Sequence, residues 1–354
     1  MEADRRPHEN TEQEVMRKLR VMLLVHATLV PPEDLDDYED PRMPKYQTEF
    51  DVKHALLRLG HEVRVVGAYD DLAPIRETIE GWRPHIVFNL LEEFAGNPAF
   101  DYYVVSYLEM LDIPYTGCNP RGLLLARDKA LSKILLAHHR IRVPEFAVFP
   151  RGKAIDTRHR WRYPLIVKSL LQEGSTGLSQ ASLVTSDEQL RKRVAFIHRR
   201  THGDAIAEQY IEGRELYVTV LGNRRLTVLP FREITFSRRD DGPLRVATHR
   251  VKWNYDYRER WGIDYRFAHN LPRGMAERIC KLCKRAYRIL DLDGYARFDL
   301  RIDGDQQIYV LEANPNPAIA ESEDSAFSAE KAGLSYDALI QKILNLGLRR
   351  HRRR

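Results

Sequence analysis

Hydrophobic residues first gather at positions 21–25, a run that predicts a buried strand, whereas residues 1–19 carry few large apolar groups and predict a flexible N-terminal extension. The period then changes. Phe50, Ala55, Leu56 and Leu59 fall on one helical face that ends at Gly60, and positions 62–66 return to strand texture. The alternation repeats as a helix over 71–80, an apolar strand over 86–91, a helix over 100–111 and the extended Ile113, Pro114 and Tyr115. Strands and helices taking turns predict an α/β chain with a doubly wound, Rossmann-like parallel sheet over residues 20–120.

Beyond Gly117 the texture shifts. A helix is expected from about 120 to 139, Pro144 and Pro150 bracket a short strand, and a smaller β-rich unit occupies 121–210. Residues 211–348 form a third unit, and 349–354 hold five arginines that read as a solvated basic tail, dispensable for chemistry. That tail accounts for the whole formal charge of +5, so residues 1–348 sum to zero and no specific nucleic-acid partner is expected. The chain has three cysteines, too few for a disulfide framework, and a polar opening without a secretory apolar core. No apolar run approaches the roughly 20 residues that span a bilayer, so a cytoplasmic protein without a membrane partner is expected. Cys280 and Cys283 form a lone C-x-x-C inside a helical apolar pattern, which favours helix packing over zinc.

Neither a G-x-G-x-x-G turn nor a P-loop occurs. The strongest chemical signal is a hairpin, strand-like residues 294–302 and 308–317 around a turn at 303–305. Strand alternation puts Arg297 and Asp299 on one face and Glu312 and Asn314 on a common face of the partner strand. Any register whose paired numbers sum to 609 or 611 brings all four together. Two carboxylates and an amide oxygen suit magnesium, with Arg297 beside them to stabilise developing negative charge. A salt-bridged outer face is the plainer alternative. Asn-Pro-Asn-Pro after the second strand adds rigidity next to these groups. A second signal is the apolar strand that ends at Lys168, followed by Glu173-Gly-Ser-Thr-Gly-Leu178, whose glycines, hydroxyls and ammonium suit phosphate. The third, residues 205–221, reads by itself as a hairpin around a glycine turn, with Glu208 and Glu215 flanking Tyr210 and Ile211.

In this order the signals resemble the ATP-grasp superfamily, and within it the D-alanine–D-alanine ligase branch, over roughly residues 20–348. The resemblance rests on Asp128-Lys129, the Lys168 strand end, the 173–178 loop, Glu208 with Glu215, Arg297-x-Asp299 and Glu312-x-Asn314. It implies an ATP-grasp fold behind the Rossmann-like unit, with a central lid subdomain and a C-terminal subdomain carrying the metal site. It further implies that Lys129, Lys168 and Lys252 contact ATP phosphates, with Glu173 and Ser175 in the lid loop and Ser175 near the chemistry. Tyr210 and Ile211 would hold adenine, Glu208 its amino group and Glu215 the ribose. Asp299, Glu312 and Asn314 would bind two magnesium ions, for which manganese can substitute, and Arg297 would be the oxyanion residue. The implied reaction is carboxylate attack on the γ-phosphate, then displacement of the acyl phosphate by an amine. The expected partners are amino acids or small peptides, with a homodimer as the family's usual assembly.

The substrate half departs from the pattern. The family's Gly/Ser-rich loop after the first strand is replaced by His26-Ala-Thr-Leu-Val-Pro-Pro-Glu-Asp34, and the glycine that follows the final asparagine motif by Ala318. Asn316 and Ser322 remain candidates to contact the second substrate. Two other readings stay open, a nucleotide-binding protein without turnover and a kinase that phosphorylates an alcohol.

Overall fold

The computed structural model describes residues 18–33, 45–156, 161–172, 179–236, 259 and 262–352. Among them the strands fall into three sheets. The first is parallel, with β1 (Arg20–His26) between β2 (Glu62–Ala68) and β3 (Ile86–Asn89). Helices α1 (Gln47–Arg58) and α2 (Ala73–Trp82) connect them in the expected α/β order, and α3 (Asp101–Met110) follows β3. Alternation along β1 sorts its side chains between two cores. Val21, Leu23 and Val25 pack with Val52, Ala55 and Leu56 of α1, while Met22 and Leu24 pack with Ile75 of α2 and Val104 and Leu108 of α3. Each such buried aliphatic side chain contributes about 1.5–3 kcal/mol of transfer free energy, enough to fix which face of the strand points where.

The helix expected over 120–139 is two helices, α4 (Pro120–Arg127) and α5 (Lys129–His138). Asp128 breaks them apart with an extended ψ of 99°, and its carboxylate accepts the N–H groups of Ala130 and Leu131 as the N-cap of α5. Lys129 therefore opens a helix. The second sheet is antiparallel, ordered β4 (Phe146–Phe149), β7 (Ala205–Gln209), β5 (Leu165–Ser169), β6 (Leu183–Val184), with α6 (Asp187–Thr201) packed against it.

Residues 205–221 do not form the hairpin that their sequence suggests. β7 belongs to the four-stranded sheet, whereas β8 (Arg214–Leu221) pairs antiparallel with strands of the six-stranded sheet, and the chain crosses between the sheets at Tyr210–Gly213. Gly213 at the crossing has φ +143°, and a Cβ there would lie 1.9 Å from the carbonyl oxygen of Ile302. The six-stranded sheet has β9 (Thr227–Val228) on β8 and the order β11 (Ile263–Phe267), β10 (Arg232–Phe236), β8, β12 (Tyr295–Ile302), β13 (Ile308–Pro315). Its back is covered by α7 (Met275–Ile289), whose Ile279, Cys283 and Ala286 enter the core, so the C-x-x-C stretch does pack as helix.

The chain closes with α8 (Asp324–Lys331) and α9 (Tyr336–His351). Helix α9 returns to the N-terminal sheet, where Leu339, Ile340 and Ile343 share a core with β1 and α1. The boundary expected at 348 lies inside this helix, and the arginines are not all solvated. Arg350 donates to the carbonyls of Gly117 and Tyr115 at 2.5 and 2.7 Å, pairs with Asp293 at 2.6 Å and lies 3.9 Å over the Tyr115 ring. No helix among the described residues is long and apolar enough to cross a membrane.

Candidate active site

The polar face of the six-stranded sheet sets the expected site residues in rows of paired positions. Arg297 pairs with Thr219 on one side and Asn314 on the other, Asp299 with Tyr217 and Glu312, and Arg301 with Glu215. Arg297 with Asn314 and Asp299 with Glu312 follow the register summing to 611, one of the two the sequence allowed. Directly paired residues of an antiparallel ladder have Cβ atoms about 4.5–5.5 Å apart, so the four predicted groups meet. A register shift between Asp299 and Leu300 then re-aims the rest of the strand.

Arg297 grips Asp299 through both oxygens, Nε to Oδ1 at 2.7 Å and Nη2 to Oδ2 at 3.1 Å, and lies 5.1 Å over the Tyr217 ring. Burial alone would lower its pKa, but the Asp299 charge and hydrogen bonds outweigh that and hold it raised. Asn314 Nδ2 is buried with no hydrogen-bond partner among the described residues. Among the described residues no three His, Cys, Asp or Glu side chains gather as a metal cluster. Magnesium needs fewer, since it usually takes one or two carboxylates and completes its shell with water and phosphate oxygens. Asp299, Glu312 and the Asn314 carboxamide meet that requirement, because a half-turn of the amide brings Oδ1 to where Nδ2 points.

The four-stranded sheet supplies the facing wall. Lys168, at the end of β5, reaches Glu208 at 3.2 Å and Glu312 at 3.6 Å, so one ammonium joins the two sheets. Desolvation works against its charge, yet the two glutamates push its pKa up to about 12. Lys129 donates to the carbonyls of Leu170 and Gln172 at 3.4 and 2.8 Å, immediately before the 173–178 loop. Glu208 stands opposite Phe146 and Ile166 in the sheet and is 4% exposed. Glu215 accepts the Tyr217 hydroxyl at 2.9 Å.

Glu173, Ser175 and Lys252 lie outside the described residues. Asn316 sits just past β13 in the left-handed region, φ 50°, and its Oδ1 accepts the Cys118 N–H at 2.7 Å. Gly117 makes that approach possible, since a Cβ there would sit 2.5 Å from the same Oδ1. Ser322 is exposed in a turn before α8. Sequence reasoning missed two cations. Lys133, one turn after Lys129, is buried, pairs with Glu208 at 3.3 Å and donates to the Leu311 carbonyl next to Glu312. Burial lowers its pKa against the pull of Glu208. Arg301 shares the parity of Arg297 and Asp299, which was the available signal, and is bound to Glu215 and Ile211.

A strand-end lysine from one sheet set against paired carboxylates of another is the arrangement that the ATP-grasp resemblance implies, and the comparisons bear on it directly. Residues 135–345 match the family model described as D-ala D-ala ligase C-terminus. An uncharacterized protein of Sinorhizobium fredii is 31% identical over 89% of this chain and 92% of its own length. The D-alanine–D-alanine ligase of Desulforudis audaxviator is 32% identical over 84% of this chain and 91% of its own. The crystal structure of D-alanine–D-alanine ligase from Bacillus anthracis complexed with ATP superposes with a TM-score of 0.70 at 20% identity, covering 95% of this chain and 99% of that one. The chain belongs to the D-alanine–D-alanine ligase family, an enzyme family of ATP-grasp ligases.

Proposed function

We propose that the protein is an ATP- and magnesium-dependent carboxylate–amine ligase that joins amino acids or small peptides through an acyl phosphate. The observation that carries the reading is the bridge from Lys168 to Glu312, with Glu312 paired to Asp299. It sets a phosphate-compatible ammonium against a metal-compatible carboxylate pair in one site. Lys129 and Lys168 bind phosphate oxygens, Tyr210 and Ile211 hold adenine, Glu208 accepts from its amino group and Glu215 takes the ribose. Asp299, Glu312 and Asn314 hold magnesium, which when bound offsets phosphate charge during transfer. Arg297, fixed by Asp299, faces the oxygen that gains negative charge when the amine adds to the acyl phosphate. Glu173 and Ser175 in the lid loop and Lys252 complete the phosphate contacts, and Ser175 helps keep water from the acyl phosphate. Asn316 and Ser322 lie toward the second substrate.

D-alanine is the default substrate because the named relative acts on it. The test is ADP release by the purified chain with ATP and magnesium across D- and L-amino acids and dipeptides, with mass spectrometry of products. An amide product supports the reading. Release that yields only a phosphorylated alcohol would establish a kinase, and ATP binding without release would establish a non-catalytic binder.

A further inference from the structure

Arg301 lies on the same face of β12 as Arg297 and Asp299 but reaches the other end of the site. It is 3% exposed. Its Nε and Nη2 donate to Glu215 Oε2 at 3.0 and 2.6 Å, its Nη1 donates to the Ile211 carbonyl at 2.6 Å, and its guanidinium lies 4.8 Å from the Tyr210 ring centre. Tyr210, Ile211 and Glu215 are the residues to which the ligase reading assigns the nucleoside, and one side chain ties all three together.

We infer that Arg301 is a specificity-determining residue of the nucleotide pocket, holding Glu215 in place so that its carboxylate reads the ribose hydroxyls. This rests on the ATP-dependent ligase reading. The geometry argues for more than structural pairing. Glu215 has one oxygen committed to Arg301 and the other to the Tyr217 hydroxyl, so it is fixed in orientation from two sides while each oxygen keeps further acceptor capacity. An ionised carboxylate only accepts, and hydroxyl groups are the donors that a ribose offers it. A nucleotide without the hydroxyl leaves that acceptor unpaired in a buried site, which is how polar pockets discriminate strongly. The bond to the Ile211 carbonyl locks the plane of the guanidinium, and Ile211 N–H, without a partner among the described residues, stays available to the base. A lysine at 301 would keep the charge but not the two-pronged grip, because the planar fork is a property of arginine.

The experiment is calorimetric titration of the full chain, in magnesium, with ATP, 2′-deoxyATP and 3′-deoxyATP, for wild type, Arg301→Met and Arg301→Lys. Wild type is expected to bind at least one deoxynucleotide at least tenfold more weakly than ATP. In Arg301→Met that ratio collapses to within threefold, and in Arg301→Lys it falls at least threefold. A purely structural arginine would shift all three affinities together and leave the ratio standing, which overturns the inference, as does a wild type that binds the three nucleotides equally. If Arg301→Met does not fold, Arg301→Lys decides: an unchanged ratio there refutes the role. A wild type that binds none of the nucleotides overturns the ATP reading itself, an outcome separate from the others.

Discussion

Replacing Arg350 with methionine tests whether the end of the chain is part of the structure. The side chain is 10% exposed, its partner Asp293 17% exposed, and Asp293 also accepts from the Asn119 backbone N–H at 3.1 Å. Methionine keeps the stem and removes the guanidinium, so Asp293 loses its counter-charge and the carbonyls of Tyr115 and Gly117 lose their donors. Breaking a buried pair from one side costs about 3–5 kcal/mol, a large share of an ordinary protein's stability. Urea denaturation followed by circular dichroism should show the midpoint fall at nearly constant m-value. Combining Arg350→Met with Asp293→Asn should recover part of the loss, a coupling of about 0.5–3 kcal/mol. Truncation after Leu348 should destabilise to the same degree. The consequence reaches the site, because the Gly117–Cys118 turn that Arg350 holds is the one that fixes Asn316. A variant within about 0.5 kcal/mol of wild type, the level of an ordinary surface change, would refute this reasoning and return the arginines to a solvated tail.

Three further outcomes are expected. Glu312→Gln, which removes a charge without removing volume, should lower turnover at least about 100-fold while circular dichroism stays unchanged; a wild-type rate would sink the metal role. Glu49 is buried on α1, and desolvation raises its pKa from 4.5 to about 7, so the folded chain holds its proton more tightly than the unfolded chain. Its contribution is full below pH 4.5 and is lost as pH rises through 7, by about 3 kcal/mol. Glu49→Gln should therefore flatten the fall in thermal stability between pH 5 and 8, and an unchanged profile would contradict the assignment. Gly117→Ala combines a left-handed φ of +87° with a Cβ pressed onto Asn316, so it should cost about 1–2 kcal/mol in urea denaturation and raise the KM of the amine substrate.

What the sequence made legible is what strand parity and local chemistry encode. Arg297, Asp299, Glu312 and Asn314 could be placed together because a hairpin admits few registers, and the observed one is among them. Parity equally placed Arg301 on that face, but its partner Glu215 lies 86 residues away on a strand whose pairing no local pattern announces. Lys133 was hidden for a related reason. One helical turn after Lys129 it reads as a helix-surface lysine, and only the approach of Glu208 and the Leu311 carbonyl explains its burial. The segment 205–221 misled in the opposite sense, since a glycine between two strands is the usual mark of a hairpin and here marks a change of sheet. Arg350 is the extreme case, a residue in an arginine run whose contacts span up to 235 positions of sequence.

The same logic bears on the substrate half. The sequence of the Asn-Pro-Asn-Pro stretch suggests rigid support beside the metal ligands, yet the Asn316 oxygen accepts the Cys118 N–H, and the turn bearing that N–H is held by a helix from the far end of the chain. The groups of Asn316 not engaged by Cys118 include its amide N–H donors, which suit a carboxylate or carbonyl rather than an ammonium. A substrate that presents a carboxylate there would be sensitive to Arg350 even though Arg350 never touches it. The KM for that substrate, compared between wild type and Arg350→Met under conditions where both are folded, separates this from general destabilisation. A selective rise follows if the turn orients Asn316, and an unchanged KM means that the asparagine serves the loop alone.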